Sequence, residues 1–412
     1  MSKIRVDTVA TLDESTSVPT ATLTGLPARM TAAETNKAVK GANNDITALN
    51  ALTTAITIAQ GGHGATTADA ARSALGVTGR NRIINGNCAI QQRGNGVFAN
   101  NISGYGGPDR FLGSNNNGGG QFTQSQGTIV DGSVTKLAIV QTVNTAIANT
   151  TSTNFWSGIL QYIEGFNCFD LVGSPVALSF LFKTNVTGTF SVAIKDGTGS
   201  ISYNTSFAAV SGVPIKVTIN IPAVPSAAVV PQSNAIGMQV WVGAINTGTY
   251  QVSSGGAWNT GYYITVPSST NWGATAGNYI SLTDLQLEAG TATPFERRSY
   301  NHELMLCQRY YYRIGATMPV GMGHFRGSTT NASVLSKHPT SMRVSPTTSA
   351  SSAAAFNIYT NNGAPLSNSY SAVVSSPDSI WVDTGSSVAA TAGWPAMLVV
   401  AAGAWVDYNA EL

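Results

Sequence analysis

The chain has 412 residues; its 21 Lys and Arg against 19 Asp and Glu leave a net charge of +2, and only 10% of positions are charged, where about a quarter is ordinary. So small and dispersed a balance supplies neither the basic patch that nucleic acid requires nor a cationic face for anionic lipid, so neither partner is expected. With 43 Gly and abundant Ser, Thr and Asn, the composition describes a large β-rich structural protein of two or three domains, its surface built from hydroxyls and amides.

Residues 1–27 mix charges, Thr and Pro without sustained periodicity, too little to bury a core alone, so this arm is expected to order against a partner. Met1 to Arg5 lacks the apolar core of a secretory signal, and the longest apolar run, Pro395 to Val406, is about half a membrane span; cytoplasmic synthesis without membrane insertion is expected. Over residues 28–59 the pattern turns helical. Val39, Ala42, Ile46, Leu49, Thr53 and Ile56 recur at alternating spacings of three and four, the seam of a short coiled coil. A single amphipathic helix packed on a neighbour is the other reading, and the seam alone does not count strands. The Gly-rich stretch 60–79 contains Gly61-Gly62-His63-Gly64, but no strand precedes it and no Lys-Ser/Thr pair follows, so a nucleotide site is not expected. The glycines are expected to turn the chain, with a short helix at Ala70, Ala71 and Leu75 and a solvated or packed His63.

From residue 80 to 298 the period becomes two. Val176, Leu178, Phe180 and Phe182, a turn at Asn185 to Gly188, then Phe190, Val192 and Ile194 predict an antiparallel hairpin. Further strands are predicted at Ile215 to Ile221, Ile236 to Val242 and Tyr262 to Val266, which together indicate a β-sandwich, most simply a jelly roll. In Asn278 to Arg313 the apolar parity switches at Thr283-Asp284, the mark of one bulged residue. Gly290 and Pro294 end that strand; Leu304, Cys307, Gln308 and Tyr311 then predict a short connecting helix over 299–313, with Asn301 as N-cap and Glu303 in its first turn. Residues 314–412 read as a smaller terminal β-domain, through Met342 and Val344, Phe356 and Ile358, Ile380 to Val382, and Met397 to Val400. Its Trp381, Trp394 and Trp405 are expected in the core, and Gly321 to Asn331 and Tyr359 to Asn368 as exposed tip loops.

Three widely spaced cysteines, Cys88, Cys168 and Cys307, are expected as buried free thiols without metal or disulfide. Glycoside hydrolysis needs two carboxyl groups facing one bond. The acids Asp109, Glu164, Asp170, Asp284, Glu288 and Glu296 instead lie where an Arg or a strand end gives each a bracing role, Asp109 beside Arg110 and Glu296 beside Arg297 and Arg298. No G-x-S-x-G elbow selects a triad from His63, His302, His324, His338 and the many serines. No catalytic residue, metal or cofactor is indicated. Carbohydrate binding asks only for an apolar ring face flanked by amides and hydroxyls, which Trp156, Trp258 and Trp272, each among Gly, Ser and Asn, are candidates to supply.

Four segments in order, KIRVDTV (Lys3 to Val9), GGHGATTADAARSALG (Gly61 to Gly76), NRIINGNCAIQQRG (Asn81 to Gly94) with YGGPDRF (Tyr105 to Phe111), and LQLEAG…PFERRSY…EL…LCQRYY, resemble the signatures of tail fibres and receptor-binding proteins of tailed bacteriophages. The resemblance spans most of residues 1–313, and the last ~100 residues match only loosely, through HPTSMRVSPT and the terminal Ala410-Glu411-Leu412. It implies a homotrimer whose arm, through Ile4, Val6 and Val9, attaches to a tail, baseplate or adaptor protein. It further implies that distal β-domains, the first similar to carbohydrate-binding modules, bind host surface polysaccharide or lipopolysaccharide. The resulting expectation is a non-enzymatic virion protein assembled in the host cytoplasm, with weak sites made effective by multivalency. A polysaccharide depolymerase, whose usual β-helix repeat is not visible, and a purely structural tail component are the alternatives.

Overall fold

The computed structural model describes Ala71 and residues 79–412, except 117–118, 133, 148–155, 247, 327–330, 353–354, 361–365 and 387–389. The attachment residues Ile4, Val6 and Val9 and the seam Val39, Ala42, Ile46, Leu49 and Ile56 lie outside the described residues.

Thirteen strands form the first domain: β1 (Gly96–Ala99), β2 (Ile102–Tyr105), β3 (Leu112–Asn116), β4 (Gln121–Asp131), β5 (Val134–Thr145), β6 (Trp156–Glu164), β7 (Val176–Thr184), β8 (Gly188–Asp196), β9 (Ile201–Ala209), β10 (Ile215–Ile221), β11 (Ile236–Ile245), β12 (Trp258–Thr260) and β13 (Tyr279–Ala289). They make a six-stranded sheet in the order β1-β4-β5-β13-β7-β10 and a seven-stranded sheet in the order β12-β9-β8-β11-β6-β3-β2. Alternating apolar residues of both inner faces meet between the sheets, where Phe182 and Phe207 pack edge to face at 4.9 Å and Phe190 adjoins both.

The predicted hairpin at 176–194 is not one. β7 pairs with β10 and β13, while β8 pairs with β9 and β11, so the turn at 185–187 carries the chain across the sandwich to the opposite sheet. Period-two alternation specifies a half-buried strand and leaves its partner open, because an arch between sheets and a hairpin within one bury the same faces. The predicted bulge is present: the register of β13 slips between Thr283 and Gln286, and Asp284 takes φ 51°. Tyr262 to Val266 is not a strand but an irregular segment touching Gln251 through one isolated bridge at Thr265.

After β13, helix α1 (Tyr300–Gln308) is capped by Ser299, whose Oγ accepts from the His302 amide, so Asn301 lies inside the first turn and is not the cap; Glu303 is in that turn as expected. Tyr311, assigned to the helix by spacing, begins β14 (Tyr311–Ile314). The second domain adds β15 (Pro319–Phe325), β16 (Asn331–Lys337), β17 (Thr347–Ala350), β18 (Phe356–Tyr359), β19 (Leu366–Ser375), β20 (Ser379–Ser386), β21 (Pro395–Val400) and β22 (Val406–Asn409). Six of these close a barrel, β15-β16-β20-β19-β18-β21, beside a three-stranded sheet β14-β22-β17. Met342 and Val344 lie in an irregular segment outside any strand, and the expected tip loops are shorter than predicted because their ends belong to β15, β16, β18 and β19. Trp394 packs on the barrel core; Trp381 does not, being 37% exposed on the outer face, and Trp405 lies under the Arg313 guanidinium at 4.2 Å.

The two domains are locked by the motifs singled out in the sequence. Glu164, at the end of β6, accepts from Arg309 Nε (3.0 Å) and Nη2 (2.6 Å) and from the Tyr310 hydroxyl (2.5 Å). Arg110 stacks on Tyr310 at 3.5 Å and pairs with Glu411, to which Arg93 also donates at 2.9 Å. Arg343 donates to Asn234, Ala410 and Glu411 carbonyls, tying a sandwich loop to residues 410–411 of the second domain. Gly86 approaches β13 so closely that a Cβ there would lie 2.2 Å from the Leu285 carbonyl oxygen, and it accepts the Leu285 amide at 2.9 Å.

Candidate functional site

The outer face of the seven-stranded sheet carries an unusual set of side chains. Register places Ser202, Lys195, Gln239 and Tyr162 side by side on one row, and Asn204, Ala193, Trp241, Leu160 and Leu112 on the next. Trp156 stands at the near end of β6, its indole N–H donating to Ser114 Oγ at 3.0 Å. Residues 248–268 fold over this face and add Tyr250, Tyr262 and Ile264. Trp156 meets Tyr250 edge to face at 4.9 Å, and Tyr250 meets Tyr262 at 5.6 Å, so three half-buried rings run in a chain along the covered face. A Cβ at Gly199 would fall 2.5 Å from the Tyr262 ring, which explains why the β8–β9 turn has glycine there, at φ 73°.

Beneath the rings, Lys195 is fully buried, with Nζ 2.9 Å from the Tyr262 centroid and 5.1 Å from that of Trp241, and no hydrogen-bond partner. Burial pushes its amine down to about 6, against which the neighbouring Asp196 charge acts only weakly. Asp196 itself accepts from Ser200 and Val229 amides and from hydroxyls of its own turn. At the open side of the covering segment, Thr205, Ser206, Gly255, Gly256, Val266, Pro267 and Ser268 line a shallow groove of about 340 Å³.

The three tryptophans chosen from sequence are not brought together. Trp156 belongs to this outer face. Trp258 sits on edge strand β12, packed on Tyr203 at 5.6 Å with its indole donating to the Pro222 carbonyl, as a cover for the sandwich margin. Trp272 offers no stacking face: it is 0% exposed in the main core, with its indole N–H on the Gly243 carbonyl at 2.8 Å. Its Asn- and Gly-rich neighbourhood reads as a loop, but the short 3₁₀ turn it occupies plugs the sandwich from one end. Tyr250, Tyr262 and Lys195 went unselected, since a Tyr in an apparent strand and a Lys in an alternating one carry no mark of what will cover them.

The six singled-out carboxylates are all engaged. Glu164 is described above; Asp170 pairs with Arg82 (2.6 Å), Asp284 with Lys136 (2.7 Å), and Glu288 accepts from Thr293. Glu296 receives the Gly79, Arg80 and Asn81 amides and lies 3.5 Å from Arg298, not Arg297. Asp109 accepts from Gln92 rather than pairing with Arg110, whose guanidinium reaches Glu411. The cysteines are free and buried as expected, and burial raises the thiols. Among the described residues no cluster of His, Cys, Asp or Glu is arranged to hold a metal ion, and no helix is long and apolar enough to cross a membrane. A second concavity, of about 190 Å³, lies on the outer face of the six-stranded sheet between Asp131, Lys136, Lys216, Asp284 and Phe295. There the Lys136 ammonium bridges Asp284 and Asp131 (3.4 Å).

No family model and no curated protein matches the chain. Among solved structures, the enzymatically active domain of tailspike protein 4 of bacteriophage CBA120 aligns at 11% identity and a TM-score of 0.26, covering 52% of this chain and 22% of that one. The CBM22-1 xylan-binding domain of Paenibacillus barcinonensis Xyn10C aligns at 10% and 0.25, covering 49% and 99%. TmCBM61 in complex with β-1,4-galactotriose aligns at 10% and 0.20, covering 38% and 72%. Scores this low carry no weight for what the chain binds.

Proposed function

We propose that the protein is a receptor-binding tail fibre of a bacteriophage that adheres to a host surface glycan without cleaving it. In this reading the first domain, whose chain crosses between the sheets at β5–β6, β6–β7, β7–β8, β9–β10, β10–β11 and β12–β13, is a jelly roll, residues 1–27 attach to the tail or baseplate, and three copies act together. The observation that carries the glycan part is the outer face of the seven-stranded sheet, which holds the Trp156–Tyr250–Tyr262 rings and, at the β9 margin of the same covering segment, a groove lined by hydroxyls and backbone. Sugar rings present apolar C–H faces to aromatics and hydroxyls to such a rim. Weak contacts of this kind hold a particle when several are presented at once.

A depolymerase is favoured by one observation, the two carboxylates Asp131 and Asp284 at one concavity. Against it, the Lys136 ammonium bonds both carboxylates and occupies the space between them, where the scissile bond would have to lie. Incubating the purified chain with host cells or their extracted polysaccharide, and scoring retention, new reducing ends and molar mass together, tests the reading. Retention at trimer mass without new ends supports it. Cleavage replaces it by the enzyme, and neither retention nor cleavage on the correct host by a structural tail component.

A further inference from the structure

We propose that the face of the seven-stranded sheet beneath residues 248–268 is a binding platform for an acidic sugar, with Lys195 as the group that pairs with the ligand's anionic substituent when that segment swings aside. This rests on the glycan-binding reading and specifies its ligand.

The case begins with an expense that packing does not explain. Lys195 occupies a channel between two aromatic rings that methionine would fill without a buried amine, yet its Nζ has no hydrogen-bond partner. It is not alone. Asn204 Oδ1 and Nδ2, Gln239 Oε1, Trp241 Nε1 and Thr265 Oγ1 are likewise buried without partners, and all but Thr265 lie on two adjacent rows of one sheet face. Buried polar groups are ordinarily paired, so this many unpaired ones on one face form a set awaiting a polar ligand. Their chemistry defines it: donors and acceptors for hydroxyls in Asn204, Gln239 and Trp241 on the sheet, an amine that takes up a proton once it is uncovered and meets an anion, and the Trp241 ring face for the sugar's C–H side.

The cover is tied to the sheet by the three-residue β12–β9 ladder, by the Gly256 and Gly261 amides on the Asn204 and Ser200 carbonyls, by Ser202 Oγ on the Gly261 carbonyl and by the Val266 amide on Ser191 Oγ, the bonds that opening must break. Between Gly248 and Ser268 the only regular structure is the three-residue β12 and the single Gln251–Thr265 bridge. Gly248, Gly256 and Gly261 adopt φ of 111°, 92° and 132°, positions where the chain can turn without a side-chain penalty. The groove at Thr205 and Ser206 opens beside Asn204, whose carbonyl accepts the Gly256 amide at 2.7 Å. Carboxylate, phosphate and sulfate substituents share the required charge.

The test uses the full chain on an array of carboxylated, phosphorylated and sulfated oligosaccharides, each beside its neutral parent, with Lys195→Met in parallel. The wild type is expected to prefer at least one acidic member over its parent by roughly tenfold or more, the scale of a charge-assisted bond. Lys195→Met should lose that preference while melting higher. Equal binding of acidic and neutral members by both proteins overturns the proposal and leaves glycan binding standing; binding of none removes the glycan reading itself. Accessibility gives an independent arm: reductive methylation followed by mass spectrometry should modify Lys195 slowly and be blocked by the acidic ligand. If Lys195 stays unmodified after long exposure, with the exposed Lys216 and Lys337 fully modified, the segment does not open and the proposal fails.

Discussion

Replacing Glu164 by Gln tests whether the junction makes the sandwich and the second domain one cooperative body. The carboxylate is almost wholly buried and accepts three bonds, two of them in a bidentate fork from Arg309 and one from Tyr310. Glutamine keeps the volume but removes the charge, and turns an N–H₂ group toward donors. Each charge-assisted bond is worth about 1.5–3 kcal/mol. Arg309 keeps nearly a third of its side chain in water and can rehydrate, so a net loss of roughly 2–4 kcal/mol follows rather than the full sum. Spread over domains of this size, that lowers Tm by about 5–12 °C. Calorimetry should show the wild type melting in one transition, and the variant either lower or split into two. The pH dependence fixes the cause. Burial alone would raise the Glu164 carboxyl, but the Arg309 and Tyr310 hydrogen bonds outweigh it and hold it below its ordinary value of 4.5. A carboxyl depressed in the folded state contributes stability that is fully present above its unfolded pKa and is lost as pH falls through the folded one. The gap between wild type and Glu164→Gln should therefore be constant near neutrality and close below about pH 4. An unchanged Tm, or a gap indifferent to acid, would refute the reasoning.

Lys195 runs the opposite way: with the folded amine near 6 and the ordinary one at 10.5, the unfolded chain binds a proton that the folded one does not. Wild-type stability should thus rise from pH 6 toward 10 relative to Lys195→Met, measured by denaturant melts across that range. Trp156→Ala should weaken glycan retention several-fold with little change in Tm, because the ring is half-buried on the outer face. Trp272→Ala should cost about 3–5 kcal/mol, from the cavity and the orphaned Gly243 carbonyl, and be read as poor soluble yield. Gly86→Ala drives a methyl into the Leu285 carbonyl and should destabilise by roughly 2–4 kcal/mol in a urea melt, with hydrogen exchange rising along β13.

What the sequence made legible follows from what periodicity measures. A single parity switch at Thr283-Asp284 located the bulge, because the slip turns every later side chain over and the core permits only one register. Alternation at 176–194 located two strands but joined them into the wrong motif, since it records faces and not neighbours. Tyr262, Ile264 and Val266 alternate because the segment lies flat on a sheet, apolar residues down, which mimics a strand without pairing as one. Of the site, Trp156 was visible as an aromatic among polar residues, while Trp272 looked the same and is core. The row that joins Lys195 and Ser202, neighbours across one hairpin, to Tyr162 and Gln239 draws on strands more than thirty residues away on either side, and only sheet order assembles it.

Sheet order also sets a timetable. The strand that sits between β5 and β7 is β13, made more than ninety residues after β7 ends, and β11 and β22 likewise insert between strands that precede them. Until a ribosome has passed Ala289, the six-stranded sheet is two ribbons with a gap, each showing an unpaired edge to whatever is nearby, and Asn81, Arg82 and Gly86 lack the β13 backbone they bond. Folding here is slow and late by construction, because distant pairings must wait for the chain that completes them. A chain cut before Tyr279 should yield aggregate rather than half a domain, since the edges of β5 and β7 then have no β13 to close them.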